Sequence, residues 1–167
     1  MRDNTLTIEQ LLTLLAEGPR RIAALTAGVA PPRLQTAPNE NEWCANDVLA
    51  HLGACADIWG GSIVTMVRED HPTIRAISPR TWIHETDYPD CAFRPSFRAY
   101  SRQRAELLAL LETLSSEEWE RGATFTGAGR LLERTVRSEA SAIAIHERPH
   151  LRQIDEAVNM MRIEDRE

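Results

Sequence analysis

Apolar residues recur along this chain at intervals of three and four, the spacing that lines one face of an α-helix, and no stretch alternates long enough to compete as a sheet. The first stripe, Ile8, Leu11, Leu12, Leu15, Ile22 and Leu25, predicts a helix over about residues 7–26. Gly18-Pro19 interrupts it and predicts a break or kink, because proline lacks a backbone donor and crowds the preceding turn. The second stripe, Val48, His51, Leu52, Cys55, Ile58, Trp59, Ser62 and Met66, predicts a helix over about 45–68. A third, over about 96–114, carries Phe97, Tyr100, Leu107, Leu108, Leu111 and Leu114. The fourth is the longest, over about 131–161, and its inward face reads Val136, Ala140, Ile143, His146, His150, Gln153, Ile154, Ala157 and Met161.

The connections differ in character. "GVAPPRLQTAPNENEW" has the proline, asparagine and small-residue content of a loop. Residues 71–95 are rich in proline and aromatics and long for a bundle connection, which predicts a functional loop that covers a pocket. Ser115 and Glu118 are spaced as a capping box for a short extra turn, and the glycines of "RGATFTGAGR" read as turn chemistry in a loop. No repeat or low-complexity tract divides the chain. The prediction is therefore all-α: one domain spanning residues 1–167, a four-helix bundle with a long connection between its second and third helices.

Composition narrows the partners. Nineteen basic against 25 acidic residues leave a net charge of −6, and no lysine-arginine run is present to neutralise a phosphate backbone or an anionic lipid surface. Nucleic acid and membrane are excluded as expected partners, and a small-molecule substrate is favoured. With no long uninterrupted apolar run and no signal-peptide core, a soluble cytoplasmic protein is expected. Three widely spaced cysteines, Cys44, Cys55 and Cys91, offer neither a disulfide framework nor a zinc knuckle and read as reduced thiols.

The histidines change the picture most. An imidazole buried without a partner costs about 1–3 kcal/mol, so apolar stripes should avoid it, yet three of the five histidines lie on stripes. His146 and His150 are one turn apart on one face, a chelating spacing, and His51 on a facing helix supplies a third nitrogen. Three protein ligands leave a divalent ion short of one partner, the arrangement of catalytic rather than structural zinc. His71 and His84 fall in the loop and read as surface imidazoles. "IHERPHLRQI" also contains HExxH, the zinc-protease pattern in which Glu147 would be general base. That reading fails for want of a third ligand: after His150 only Asp155, Glu156, Glu164, Asp165 and Glu167 remain, nearly all on the same helix or its end. A di-iron carboxylate bundle fails because the Glu147-to-His150 E-x-x-H has no second copy.

"NEWCANDVLAHL" resembles the W-S-x-x-E-x-L-x-H-L segment, and "IHERPHLRQI" the H-x-x-x-H-x-x-Q-I segment, of the DinB/YfiT-like superfamily, with "LSSEEWER" fitting a weaker pattern between them. The resemblance spans nearly the whole chain. It implies a four-helix bundle, often a homodimer, that binds a divalent metal through His51, His146 and His150. It also implies a thiol-dependent S-transferase or isomerase using a low-molecular-weight thiol. Zinc is the expected metal, with nickel, manganese or iron as alternatives, since three imidazoles do not select among them. The sequence departs from the pattern at Cys44, where Ser or Thr is usual, at Asp47, where Glu is usual, and at Pro149 beside a ligand.

Roles for the neighbours follow from chemistry. A metal there would activate a thiol or water, or polarise a substrate oxygen. Gln153, one turn past His150, is a candidate to orient a ligand or act in catalysis; Glu147 is a candidate acid-base, with a solvated helix charge as the plainer reading. Glu139 reads as a solvated charge, and Cys55, four residues after His51, as a small buried residue rather than a fourth ligand. Trp59, Trp82 and Tyr88 are candidates to line a pocket between bundle and loop. The expected function is a metal-dependent S-transferase acting on a small electrophile. The alternatives are a non-catalytic ligand-binding or dimerisation bundle with a degenerate site and, behind it, a metal-dependent hydrolase.

Overall fold

The computed structural model describes residues 6–164, with side chains as far as Asn159. Met161, the last position of the expected fourth stripe, lies outside the described side chains, as do Glu164, Asp165 and Glu167. Helix α1 spans Ile8–Thr26. Thr7 caps it: its hydroxyl accepts from the Gln10 amide at 3.1 Å, while the Gln10 side chain accepts from the Thr7 amide at 2.9 Å. A short α2, Pro31–Leu34, occupies part of the expected loop and seats Leu34 in the core. Helix α3, Ala45–Cys55, runs through a π-helical segment, Ala56–Gly60, into α4, Gly61–Arg68. Cys44 replaces the usual hydroxyl cap without loss of the motif, since its Sγ accepts from the Asp47 amide at 3.4 Å and Asp47 Oδ2 accepts from the Cys44 amide at 3.1 Å.

The long connection is structured. It contains β1, Thr73–Arg75, a short α5, Pro79–Trp82, and two 3₁₀ turns, Ile83–Glu85 and Tyr88–Asp90. The Asp57 carboxylate in the π segment ties it down, accepting from Trp82 Nε1 at 3.0 Å and the Tyr88 hydroxyl at 2.7 Å, and also from Gln103 Nε2 at 2.6 Å. Helix α6, Phe93–Leu111, and the capped turn α7, Ser116–Trp119, follow. Strands β2, Gly122–Thr126, and β3, Leu132–Thr135, then lead into α8, Val136–Glu164.

The chain folds as a four-helix bundle of α1, α3–α4, α6 and α8. The bundle carries one addition that the sequence reading did not expect: β1, β2 and β3 form a three-stranded sheet, with β1 parallel and β3 antiparallel to β2. "RGATFTGAGR" is therefore mostly strand and hairpin turn, and the last helix starts at Val136 instead of residue 131. Alternation in β2 is confined to two buried residues, Ala123 and Phe125, too few to register as a period. Gly127 and Gly129 take positive φ (+85° and +80°) where the hairpin reverses.

The core has two apolar clusters. One joins Leu11, Leu15, Met66, Leu111, Trp119 and Ile143; the other joins Ile22, Val48, Leu52, Phe93, Leu151 and Ile154. On α1, α6 and α8 the residues between these sets are Gly18, Arg104 and Glu147, and they meet. Arg104 is bonded through both terminal nitrogens to the Glu147 carboxylate, Nη1 to Oε2 at 2.9 Å and Nη2 to Oε1, and Tyr100 donates its hydroxyl to Glu147 Oε1 at 2.6 Å. The same Nη1 donates to the Leu15 carbonyl at 3.0 Å, the carbonyl that Pro19 cannot serve. The expected break at Gly18-Pro19 is thus absent: α1 is continuous, and its orphaned acceptor is satisfied from α6. Gly18 is the notch, because a Cβ there would stand 2.9 Å from Glu147 Oε2. Pro149 orphans the Ile145 carbonyl instead, at a residue 59% exposed, where water can serve it.

Ala45–Arg68 is long and apolar enough to cross a membrane, but more than half of its apolar window is buried within the bundle. Its hydropathy is that of a core helix.

Removing one member of a buried ion pair leaves a charge without water or partner. Arg104→Met is expected to destabilise the fold by about 3–5 kcal/mol in urea unfolding, with most of the loss recovered in Arg104→Met/Glu147→Leu. Equal loss in single and double variants would contradict this account of the pair.

Candidate metal centre

His51 on α3 and His146 and His150 on α8 converge. His51 Nε2 lies 3.0 Å, and His150 Nε2 3.1 Å, from His146 Nε2, with ring centroids 4.6–5.3 Å apart. Donors about 2.0–2.1 Å from one ion, at angles between square and tetrahedral, stand about 2.9–3.4 Å apart. Both approaches to His146 Nε2 fall in that range, the spacing that a shared divalent cation requires. A lone hydrogen bond explains one such approach, but not two to a single atom that carries at most one hydrogen.

The protonation pattern agrees. Gln153 Oε1 lies 2.6 Å from His150 Nδ1; an amide oxygen only accepts, so Nδ1 carries a hydrogen and the bond orients the ring with Nε2 toward His146. Burial pushes His51 down to about 4, helped by the rings of His150 and His146 and by Arg80. His146 is lowered by burial and then by His150 and Arg80, against an upward pull from Glu147. At neutral pH these two rings are unprotonated, the state a metal requires.

A fourth donor stands beside them. Cys55, one turn after His51, places Sγ 3.5 Å from His51 Nε2 and 3.6 Å from His146 Nε2, and the donor atoms of His51, Cys55 and His146 all lie within 4.8 Å of one another. Burial raises its thiol to about 12, with Glu147 adding to the shift.

Tryptophans flank the rings. Trp59, which follows the π segment's start, meets His146 edge-on at 4.9 Å, while Trp43 stacks near His150 at 6.4 Å and 13° and lies 5.4 Å from His51. Beyond His150 opens a cleft of about 420 Å³, lined by Trp43, Arg80, Gln153, Glu42 and Glu156 among others. Arg80 comes from the long connection, which thus contributes one wall residue to the cleft.

Several expected neighbours lie elsewhere. Glu147 is not a solvated charge; it is 4% exposed, and both its oxygens are engaged by Arg104 and Tyr100 rather than by the histidines. Tyr88 does not join them either. It lines a separate cavity of about 480 Å³ between α3 and α6, its hydroxyl held by Asp57, as is the indole of Trp82. Glu139, also expected to be solvated, is buried and bonded to Arg134 at 2.7 Å. His71 is exposed and lies 3.1 Å from Glu133. Sequence reasoning missed Trp43 and Arg80. Trp43 was legible, as the tryptophan that opens the "NEWCANDVLAHL" segment; Arg80 carries no local signal.

The sequence profile of the DinB superfamily matches residues 14–154, a span holding all three histidines and Cys55. Among solved structures, this chain is similar to YfiT from Bacillus subtilis, described as a probable metal-dependent hydrolase with an unusual four-helix bundle topology. The TM-score is 0.78 at 20% identity, over 96% of this chain and 93% of that one. At that identity the likeness establishes the fold. No curated protein matches the chain.

Two outcomes follow. Because the unfolded chain protonates His51 below about 6.5 and the folded chain refuses that proton until about 4, metal-free stability should be full above pH 6.5 and fall as pH drops between these values. His51→Gln should flatten that slope in urea titrations; an unchanged slope would contradict the assignment. Gln153→Ala, which frees the His150 ring, should weaken metal binding roughly 10–100-fold in a competition titration.

Proposed function

This chain belongs to the DinB superfamily, and from that membership and the geometry of its centre we propose that it is a divalent-metal-dependent enzyme, an S-transferase that joins a small thiol to an electrophile. The observation that carries the proposal is the meeting of three Nε2 atoms at His146, beside a cleft open to small molecules. His51, His146 and His150 would hold the cation. When bound, it supplies a Lewis acid that brings the pKa of a thiol or water toward neutrality.

The chain's own residues set the rest. Gln153 fixes the His150 ring, and Trp43 and Trp59 pack their rings against the imidazoles. The Arg80 guanidinium, exposed at the cleft, favours an anionic group on the incoming molecule. The commitment of Glu147 to Arg104 bears on the choice of reaction. Attack by a thiolate needs no general base once the thiol is ionised, whereas hydrolysis draws on one to activate water. A second reading, a metal-dependent hydrolase, is favoured by the description of YfiT and by Glu42 and Glu156 at the cleft, either of which could serve as that base.

Untagged protein should hold about one tightly bound divalent ion per chain, lost in His51→Ala, by elemental analysis. The loaded protein should then consume an electrophilic dye with one member of a panel of biological thiols, at a rate abolished by chelator. Metal-dependent turnover of esters or amides without a thiol would replace the transferase with the hydrolase. Failure to take up zinc, nickel or manganese would leave a ligand-binding or dimerisation bundle.

A further inference from the structure

Resting on the metal reading above, we infer that Cys55 is itself a ligand, so that the centre is a mixed nitrogen-sulfur site selective for a thiophilic, tetrahedral ion such as zinc. The geometry points there directly. A sulfur about 2.3 Å and a nitrogen about 2.05 Å from one tetrahedral ion stand about 3.6 Å apart. Cys55 Sγ stands 3.5 Å from His51 Nε2 and 3.6 Å from His146 Nε2. A cysteine that merely filled core volume would have no reason to meet this distance to two separate donors on two different helices.

The local backbone supports the same assignment. His51 and Cys55 are four residues apart on the last turns of α3, so both project from one face toward α8, as His146 and His150 do from the opposite side. The π segment begins at Ala56, immediately after Cys55, and π-helical turns interrupt regular helices mostly where a site needs them. Here the insertion lets α4 resume with Ser62, Ile63 and Met66 buried without rotating His51 and Cys55 away from the centre. Sγ is buried among the imidazoles rather than in the cleft, so it faces the cation position and no substrate.

Two consequences separate this site from one made of three imidazoles. A thiolate is a soft ligand that favours zinc, cobalt and cadmium over manganese or magnesium, so the choice of metal, left open by the histidines, is narrowed by the cysteine. Coordination exchanges the thiol hydrogen for the cation, the proton passing to buffer. His51, Cys55 and His146 would be the compact set of donors to a bound cation, and His150, which borders the cleft, would be the donor nearest an incoming group.

Cobalt(II) reports the ligand set without any assay of activity. Metal-free protein titrated with cobalt should develop visible ligand-field bands and a near-ultraviolet sulfur-to-cobalt charge-transfer band. Cys55→Ser should lose the charge-transfer band while still binding cobalt, and should lose its preference for zinc over manganese in competition. Cys44→Ser and Cys91→Ser should keep both. Cys55→Ala serves as a second variant, with circular dichroism confirming that each is folded. Ligand-field bands without charge transfer in the wild type, or a band that persists in both Cys55 variants, would overturn the role of Cys55 and leave the three-histidine site standing. No cobalt uptake by the wild type would overturn the metal reading itself.

Discussion

The rotation of α8 about its own axis is set by one buried contact, the seating of Glu147 between Arg104 of α6 and the notch at Gly18 of α1. Successive residues on a helix project about 100° apart, so once Glu147 is held toward α1 and α6, His146 is turned to the neighbouring face, and His150 with it. That face meets α3. The ion pair lends the fold no cheap stability, since apolar residues of equal volume could replace it. Its effect is specificity: any slip of α8 would leave a carboxylate and a guanidinium buried and unpaired, and the register that avoids this is the one that brings three imidazoles together.

The same layer of the bundle therefore holds two polar systems back to back. On one side, a charged pair is joined through both terminal nitrogens of Arg104, one of which also serves the Leu15 carbonyl that Pro19 leaves without a donor. On the other, the donor atoms of His51, His146, His150 and Cys55 crowd together at 3.0–3.6 Å around His146 and His51. A shared cation would account for that crowding. HExxH is read by the fold as two separate instructions, its histidines to the centre and its glutamate to the ion pair, which is why the protease resemblance of the motif is only local.

Much of this was legible in the residue pattern. Four stripes placed the four long helices, and histidines intruding on two of them single out His51, His146 and His150. What could not be read was long-range. Gly18-Pro19 looks like a break because its repair, Arg104, is 86 residues away from Gly18 in sequence. Glu147 looks solvated for the same reason, and Cys55 looks like filler because its distances to two helices are not in its local spacing. The sheet escaped because β2 shows only Ala123 and Phe125 as alternating buried residues. Tyr88 was drawn to the site by chemistry alone, and the structure anchors it to Asp57 instead. Arg80 reaches the cleft only through the path of a loop that no periodicity describes.

The central claim is that imidazoles from α3 and α8 share one cation. X-ray absorption at the zinc edge of the loaded protein tests it most directly. The account predicts a first shell of imidazole nitrogens at about 2.0 Å, with the outer-shell scattering of at least three rings, and one sulfur at about 2.3 Å. A shell of oxygens alone, or fewer than three imidazoles, would contradict it.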